Sequence, residues 1–144
     1  MSTINLGGGI TLTSSIEKFD SSRHIFDTCG ARTQQPSICL IDGRIWFGSD
    51  GGMELPRTQL RRLTLTINGT AIALDISGMY NPSGGNTLKK DRFKIKKEGQ
   101  IYLLYGFFSD GSGTYTALWK IVKNRSIRLK ISDDDADFLW HTEK

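Results

Sequence analysis

Residues capable of catalysis are few in this chain and lie far apart in the sequence. Its 144 residues include two histidines, His24 and His141, and two cysteines, Cys29 and Cys39. Cys29 could act as a nucleophile beside His24, but no motif of a cysteine enzyme surrounds it. No Gly-x-Ser-x-Gly turn is present to expose a serine nucleophile. We therefore expect no catalytic residues and a protein that is not an enzyme.

The acidic and metal-binding residue types show no site pattern either. The two cysteines and two histidines lack the spacing of a zinc site. A run of four carboxylates near the C-terminus is typical of a solvated end, and it comprises Asp133, Asp134, Asp135 and Asp137. The polar loops lack the spaced carboxylates of a calcium site. We expect no metal and no cofactor.

Cys29 and Cys39 are ten residues apart and flank a polar, proline-containing segment, Gly30 to Ile38. A disulfide that closes so small a loop stabilises a protein by ~2–3 kcal/mol. The alternative is a pair of buried thiols in a reducing compartment. We expect the disulfide, and with it a periplasmic location, the alternative location being the cytoplasm.

Strands must position any functional residue, because apolar and polar residues alternate along most of the chain. Asn68-Gly69 interrupts two alternating runs within Leu60 to Ser77, and this dipeptide is a strong signal for a two-residue hairpin turn. A slip of one residue would expose every leucine, so the register should be firm. The expected pairs are Leu63 with Leu74, Leu65 with Ile72, Ile67 with Thr70, and Arg62 with Asp75.

Asp42-Gly43 predicts another two-residue hairpin, over Ile38 to Phe47, for the same reason. One of its faces would be fully apolar and the other partly buried. The expected pairs are Leu40 with Ile45, Ile38 with Phe47, Cys39 with Trp46, and Ile41 with Arg44.

The C-terminal half predicts four longer strands, the second of which is apolar on both faces and should be central. They are Arg92 to Lys97, Gln100 to Phe108, Thr114 to Val122 and Ser126 to Ile131. A three-residue turn at Lys123-Asn124-Arg125 would keep Ile127, Leu129 and Ile131 on the face of Trp119. We therefore expect that turn.

Helical periodicity is weak, so we expect at most two short helices, near Thr13 to Phe19 and within Asp133 to Trp140. The length suits one domain, residues 1–144. No apolar run approaches the ~20 residues of a membrane-spanning helix. We predict an all-β domain, an antiparallel sandwich or strongly bent sheet of about eight or nine strands.

Two segments resemble each other, Trp46 to Gly52 and Phe107 to Gly113. In each, an aromatic strand end runs into Ser-Asp-Gly. Hairpin exits favour Asp and Gly because these residues tolerate a positive φ, and this preference would account for the likeness. The alternative interpretation is a duplicated sheet motif, or two loops at one edge that form one recognition surface.

Charge is distributed unevenly around a net value of +4. Between Lys89 and Lys130 there are eleven basic and three acidic residues, whereas the last fourteen residues hold five acidic and one basic. Arg92 to Lys97 interleaves cations with apolar residues ahead of two tyrosines, as on a β-surface that stacks bases. An edge strand protected by lysines shows the same pattern. We favour the edge strand and expect no nucleic-acid partner.

The final third of the chain joins a polar, glycine-rich loop to two apolar strands. Ser109 to Tyr115 leads into Leu118 to Val122 and then Ser126 to Arg128. This arrangement resembles the closing hairpins of small bacterial immunity proteins, which are paired with antibacterial toxins delivered by type VI secretion or by contact. The resemblance implies an inert inhibitor that occludes a cognate toxin's active site. Many nuclease inhibitors are acidic and this chain is basic, which favours a cell-wall or lipid hydrolase as the target.

We expect the partner-binding residues in that loop, because a polar loop on a rigid sheet inhibits through shape and hydrogen bonds alone. They are Ser109, Asp110, Gly111, Ser112, Gly113 and Tyr115. An envelope carbohydrate-binding module is the alternative and would expose Trp46, Trp119 or Tyr115 as stacking platforms. Further alternatives are a small hydrolase and a nucleic-acid-binding protein.

Overall fold

The computed structural model describes residues 1–29, 37–49 and 52–142. Within these ranges the chain forms ten antiparallel strands, a few short 3₁₀ turns and one short helix, so the all-β prediction is confirmed with more strands than expected. The strands are β1 Ser2–Gly7, β2 Ile10–Lys18, β3 Phe26–Cys29, β4 Ser37–Ile41, β5 Thr58–Ile67, β6 Thr70–Ala73, β7 Phe93–Glu98, β8 Ile101–Phe108, β9 Tyr115–Val122 and β10 Arg125–Ser132. The helix, α1 Leu139–Thr142, follows a 3₁₀ turn at Asp135–Phe138.

Two four-stranded sheets pack face to face. The first has the order β1-β2-β5-β6 and the second β10-β9-β8-β7, while β3 and β4 form a separate ribbon. One buried cluster draws on both sheets, with Leu12 and Leu65 from the first and Leu104 and Trp119 from the second. Apolar and polar residues alternate along the strands because each sheet buries one face against the other sheet.

The Asn68-Gly69 hairpin has the predicted register. Leu65 pairs with Ile72, and both turn residues have a positive φ, 48° and 87°. The expected pairing of Arg62 with Asp75 is wrong. β6 ends before Asp75, whose carboxylate accepts from Ser77 and lies 4.0 Å from Arg128 of the other sheet.

The helix expected at Thr13 to Phe19 is wrong, because these residues lie mostly within β2. Ile10, Leu12 and Ser14 are buried in alternation, as in a strand with one buried face. β2 pairs with β1 on one side and with β5 on the other, so backbone bonds from both neighbours replace those of a helix.

The Asp42-Gly43 turn forms, but the hairpin does not extend beyond it. Ile41 bridges Arg44, and the two turn residues have φ of 54° and 74°. β4 then pairs with β3, while Phe47 bridges Met79. The other expected pairs are therefore wrong, because Trp46 turns inward to a second buried cluster with Phe19, Ile41 and Tyr80.

The turn between β9 and β10 has two loop residues and not three. Val122 pairs with Arg125, and Lys123 and Asn124 both have a positive φ, 48° and 64°. Such a turn matches the twist of the strands that it joins. A shift of register between Arg128 and Lys130 follows. Of the apolar row expected to be buried, Ile127 is 61% exposed and Leu129 52% exposed.

Side chains of the second sheet donate hydrogen bonds to the backbone at the end of the first sheet. The Ser126 hydroxyl donates to the Ala73 carbonyl at 2.7 Å, and the Arg128 guanidinium donates to the Ser77 carbonyl at 2.7 Å. The Trp119 indole donates to the Asp75 carbonyl at 3.0 Å. These bonds satisfy carbonyls at the end of the first sheet and fix the relative position of the sheets.

Cys29 and Cys39 form the expected disulfide, which joins β3 to β4 with the Cα atoms 5.7 Å apart. Most of the segment between them, residues 30–36, lies outside the described residues.

Candidate functional site

The loop after β8 lies at one end of the second sheet, and its own side chains define its shape. The Ser109 hydroxyl accepts from the Gly111 amide at 3.1 Å, and the Asp110 carboxylate accepts from the Ser112 amide at 3.2 Å. The Thr114 hydroxyl donates to the Ser109 hydroxyl at 2.8 Å. Side-chain bonds of this kind replace regular secondary structure and give the loop a defined turn.

Glycines allow the two similar loops to touch. A Cβ atom added to Gly113, whose φ is 60°, would lie 2.5 Å from the Gly48 carbonyl carbon and the Ser49 nitrogen. Such an approach requires glycine. The two loops therefore lie against each other. That they form one recognition surface stays a prediction. Asp50 and Gly51 lie outside the described residues.

Two clefts of opposite charge border the loop after β8. One, with a volume of about 390 Å³, is lined by Ser109 and Asp110 together with Lys89 and Arg92. The other, of about 300 Å³, is lined by residues that include Gly113, Thr114, Asp133 and Asp135. The loop thus stands between a groove in which two cations outnumber Asp110 and a groove with two carboxylates.

Tyr115 is the first residue of β9, directly after this loop, and its side chain does not reach the surface. Its side chain is 0% exposed, and its hydroxyl donates to the Tyr80 carbonyl at 2.8 Å. Burial raises the pKa of Tyr115 well above its ordinary value. The expectation that the Tyr115 side chain contacts a partner is therefore wrong, because both faces of its ring lie in the core.

Asn81 is a buried residue of the site that no sequence pattern indicates. Its side-chain oxygen accepts from the amides of Arg57 at 2.8 Å and Thr58 at 3.1 Å. Its side-chain nitrogen donates to the Gly48 carbonyl at 2.8 Å. A buried amide with all these bonds made holds three segments in one arrangement. The Asn81-Pro82 dipeptide signals only a turn.

His24 and Asp42 form a pair that their spacing does not reveal. His24 Nδ1 lies 2.6 Å from Asp42 Oδ2, and the imidazole stacks on Phe19 with ring centroids 4.6 Å apart. Asp42 Oδ1 accepts from the Ile25 amide at 2.9 Å. Cys29, the nucleophile considered beside His24, is held in the disulfide. The pair therefore ties the Asp42 turn to the segment before β3.

Asp42 should contribute stability that depends on pH. The Ile25 amide, followed by the His24 ring, lowers the pKa of Asp42 below its ordinary value of 3.8. A carboxyl with a lowered folded-state pKa stabilises the fold above pH ~3.8, and this contribution is lost as the pH falls through the folded value. We expect Asp42→Asn to lower the melting temperature at neutral pH, with a difference from wild type that shrinks in acid.

Thermal melts of both proteins between pH ~7 and pH ~2 measure this difference. The other carboxyls with lowered pKa values, Asp20, Asp75 and Asp137, are shared by both proteins, so their contributions cancel. Asparagine accepts the positive φ of position 42. A difference that stays constant down to the acid end would contradict the role of the charge.

The aromatic residues that an alternative function would need are engaged inside the molecule. Trp46 and Trp119 are buried, as is Tyr115, so none of them presents a platform for a sugar. On the outer face of the second sheet, the Lys96 ammonium lies 5.8 Å from the centroid of the Tyr105 ring, and Trp140 packs against the same ring. β7 is an edge strand, as its lysines suggested.

Neither a metal centre nor a membrane-spanning helix is found in the part of the chain that the structure describes. No three side chains of His, Cys, Asp or Glu in this part are grouped so that they could hold an ion. No helix in this part is both long enough and apolar enough to cross a bilayer.

Comparison with known proteins finds no matching family model, no matching curated protein and no matching solved structure.

Proposed function

We propose that this chain is a non-catalytic immunity protein that binds a cognate antibacterial toxin enzyme and occludes its active site with the loop Ser109–Gly113. The observation that supports this most is the position of the loop, between a cleft with Lys89 and Arg92 and a cleft with Asp133 and Asp135. A ridge between grooves of opposite charge fits a partner surface with the reverse pattern.

The hydrogen bonds within the loop support the same proposal. Its turn bonds and its contact with Gly48 are made within the free protein. A loop that is already ordered loses little conformational entropy when it binds, so more of the contact energy contributes to affinity. Asn81 and Tyr115 anchor the surrounding segments from the core.

The disulfide and the net charge favour a target in the periplasm. A structural disulfide persists in oxidising compartments, and Cys29 is bonded to Cys39. The net charge of +4 is opposite to the acidic surface with which many nuclease inhibitors imitate nucleic acid. We therefore propose a cell-wall or lipid hydrolase, delivered by a secretion system or by contact, as the toxin.

The test is to express the products of the neighbouring reading frames and to measure their toxicity, their binding to this chain and their inhibition by it. We expect a stoichiometric complex and loss of toxin activity. We expect a basic group of the toxin to meet Asp110, so Asp110→Lys should weaken the complex by at least ~1–2 kcal/mol by placing two like charges together. Asp110→Asn removes the charge but keeps an oxygen that accepts from the Ser112 amide. It therefore distinguishes the effect of the charge on binding from the effect of the loop conformation.

Glu98→Lys is the matched control, with the same change of charge at the opposite end of the same sheet. It should leave binding unchanged. A wild-type chain that neither binds nor inhibits the toxin would refute the proposal. Equal weakening by Asp110→Lys and Glu98→Lys would refute the assignment of the loop, since only net charge would then matter.

A further inference from the structure

The outer face of the second sheet, which points away from the first sheet, carries more apolar side chains than a solvent-facing surface usually does. Leu104 and Trp119 point into the core, so their neighbours along the strands point outward. The register pairs Ile101 with Val122, and pairs Lys120 with both Leu103 and Ile127. Ile101, Leu103 and Val122 remain partly exposed, and Ile127 is 61% exposed.

Cations outnumber carboxylates at this end of the face, where Lys96 pairs with Leu103 and Glu98 pairs with Ile101. The chain from Tyr115 to Ser132 contains five basic residues and no acidic one. Lys120, Lys123 and Arg125 line a shallow cleft of about 630 Å³ together with Val122 and Ile127. An apolar floor with a positive rim fits an occupant that combines apolar side chains with carboxylates.

The other end of the same face already holds a segment of that chemistry from the chain itself. In the acidic C-terminal segment, Phe138 packs against Phe107 with ring centroids 5.7 Å apart, and Trp140 packs against Tyr105 at 5.5 Å. Asp137 forms an ion pair with Lys130. This end of the face therefore binds a segment whose aromatic side chains pack on Phe107 and Tyr105 and whose carboxylate pairs with Lys130 of the edge strand β10.

We propose that the end of this face that none of the described residues covers, formed by Ile101, Leu103, Val122 and Ile127 with Lys120 at its centre, docks an acidic amphipathic segment of a partner protein. A second copy of this chain is a poorer occupant, because two such faces would bring their lysines and arginines together. The surface is separate from the loop after β8. It lies at the far end of β9, a strand of eight residues that spans roughly 23 Å. The proposal does not depend on the immunity function.

The probe is a synthetic peptide in which Glu alternates with Leu and Phe, titrated into the full chain and followed by amide NMR. We expect salt-sensitive binding, with shifts concentrated at Leu103, Val122 and Ile127. A peptide with Lys in place of Glu, and one with Ser in place of Leu and Phe, should each bind at least about tenfold more weakly.

Two variants and one matched control locate the surface. Lys120→Glu and Ile127→Ser should each weaken binding of the peptide by at least about tenfold. Ile45→Ser removes an isoleucine that is 72% exposed elsewhere and should have no effect. Thermal melts confirm that all three variants fold.

Four results with the peptide or the free chain would overturn the proposal, and a fifth concerns membranes. They are an absence of binding, shifts that map to another surface, equal binding of the Lys-containing peptide, and a dimer in sedimentation experiments that Ile127→Ser dissociates. Binding to vesicles of phosphatidylglycerol without binding of the acidic peptide would also overturn it, since the surface would then recognise a membrane.

Discussion

Leu65→Ala is expected to destabilise the protein by about 2–5 kcal/mol, the usual cost of a cavity in a well-packed core. Leu65 is 0% exposed and pairs with Leu12 on one side and Ile72 on the other. It lies in the cluster that joins the two sheets, so neighbouring side chains cannot collapse into the space without moving a strand. Urea denaturation of both proteins measures the change.

Thr66→Ala is the matched control, because Thr66 follows Leu65 in the same strand and its side chain lies on the opposite face. It is only partly buried, and its loss should change stability by less than about 0.5 kcal/mol. If Leu65→Ala costs as little as Thr66→Ala, the assignment of the buried face is wrong.

Loss of the disulfide should cost the next largest amount, about 2–3 kcal/mol, because the cross-link restricts the unfolded chain over a short loop. Cys29 and Cys39 join the two strands of the ribbon, which lies next to the cluster around Tyr80. The double variant Cys29→Ser/Cys39→Ser should therefore melt at a lower temperature than the oxidised protein.

A reducing agent provides the control for this experiment. It should lower the melting temperature of the wild type and leave that of the double variant unchanged. Mass spectrometry after alkylation of the natively purified protein should find no free thiol. Two alkylated cysteines would contradict the bonded pair and remove the support that it lends to a periplasmic location.

Much of the fold follows from short-range rules. Asn68-Gly69 sets the register of β5 and β6 because a two-residue turn with both φ values positive leaves one way to pair the flanking residues. Asp42-Gly43 sets its turn for the same reason, but its strands separate after one bridge. The turn residues thus predict the pairing only over the length for which the two strands stay paired. Tertiary contacts determine that length.

The candidate site was predictable in part. The loop Ser109–Gly113 stands at a sheet end, as its composition indicated, and it meets the similar segment at Gly48 and Ser49. The burial of Tyr115 was not predictable, because Tyr115 and Thr116 occupy adjacent positions of one strand and only the opposite sheet determines which of them faces the core. Asn81 makes its bonds to segments that lie 23 or more residues away.

The sequence by itself determined the alternation of the strands, the type of the Asn68-Gly69 turn and the all-β class, because these depend on neighbours within a few residues. Only the tertiary structure decided which aromatic side chains stay at the surface, which carboxylate His24 meets and where the two similar loops lie. The reason is physical: burial and pairing of these groups depend on two sheets that come together from distant parts of the chain, and no local pattern encodes their relative position.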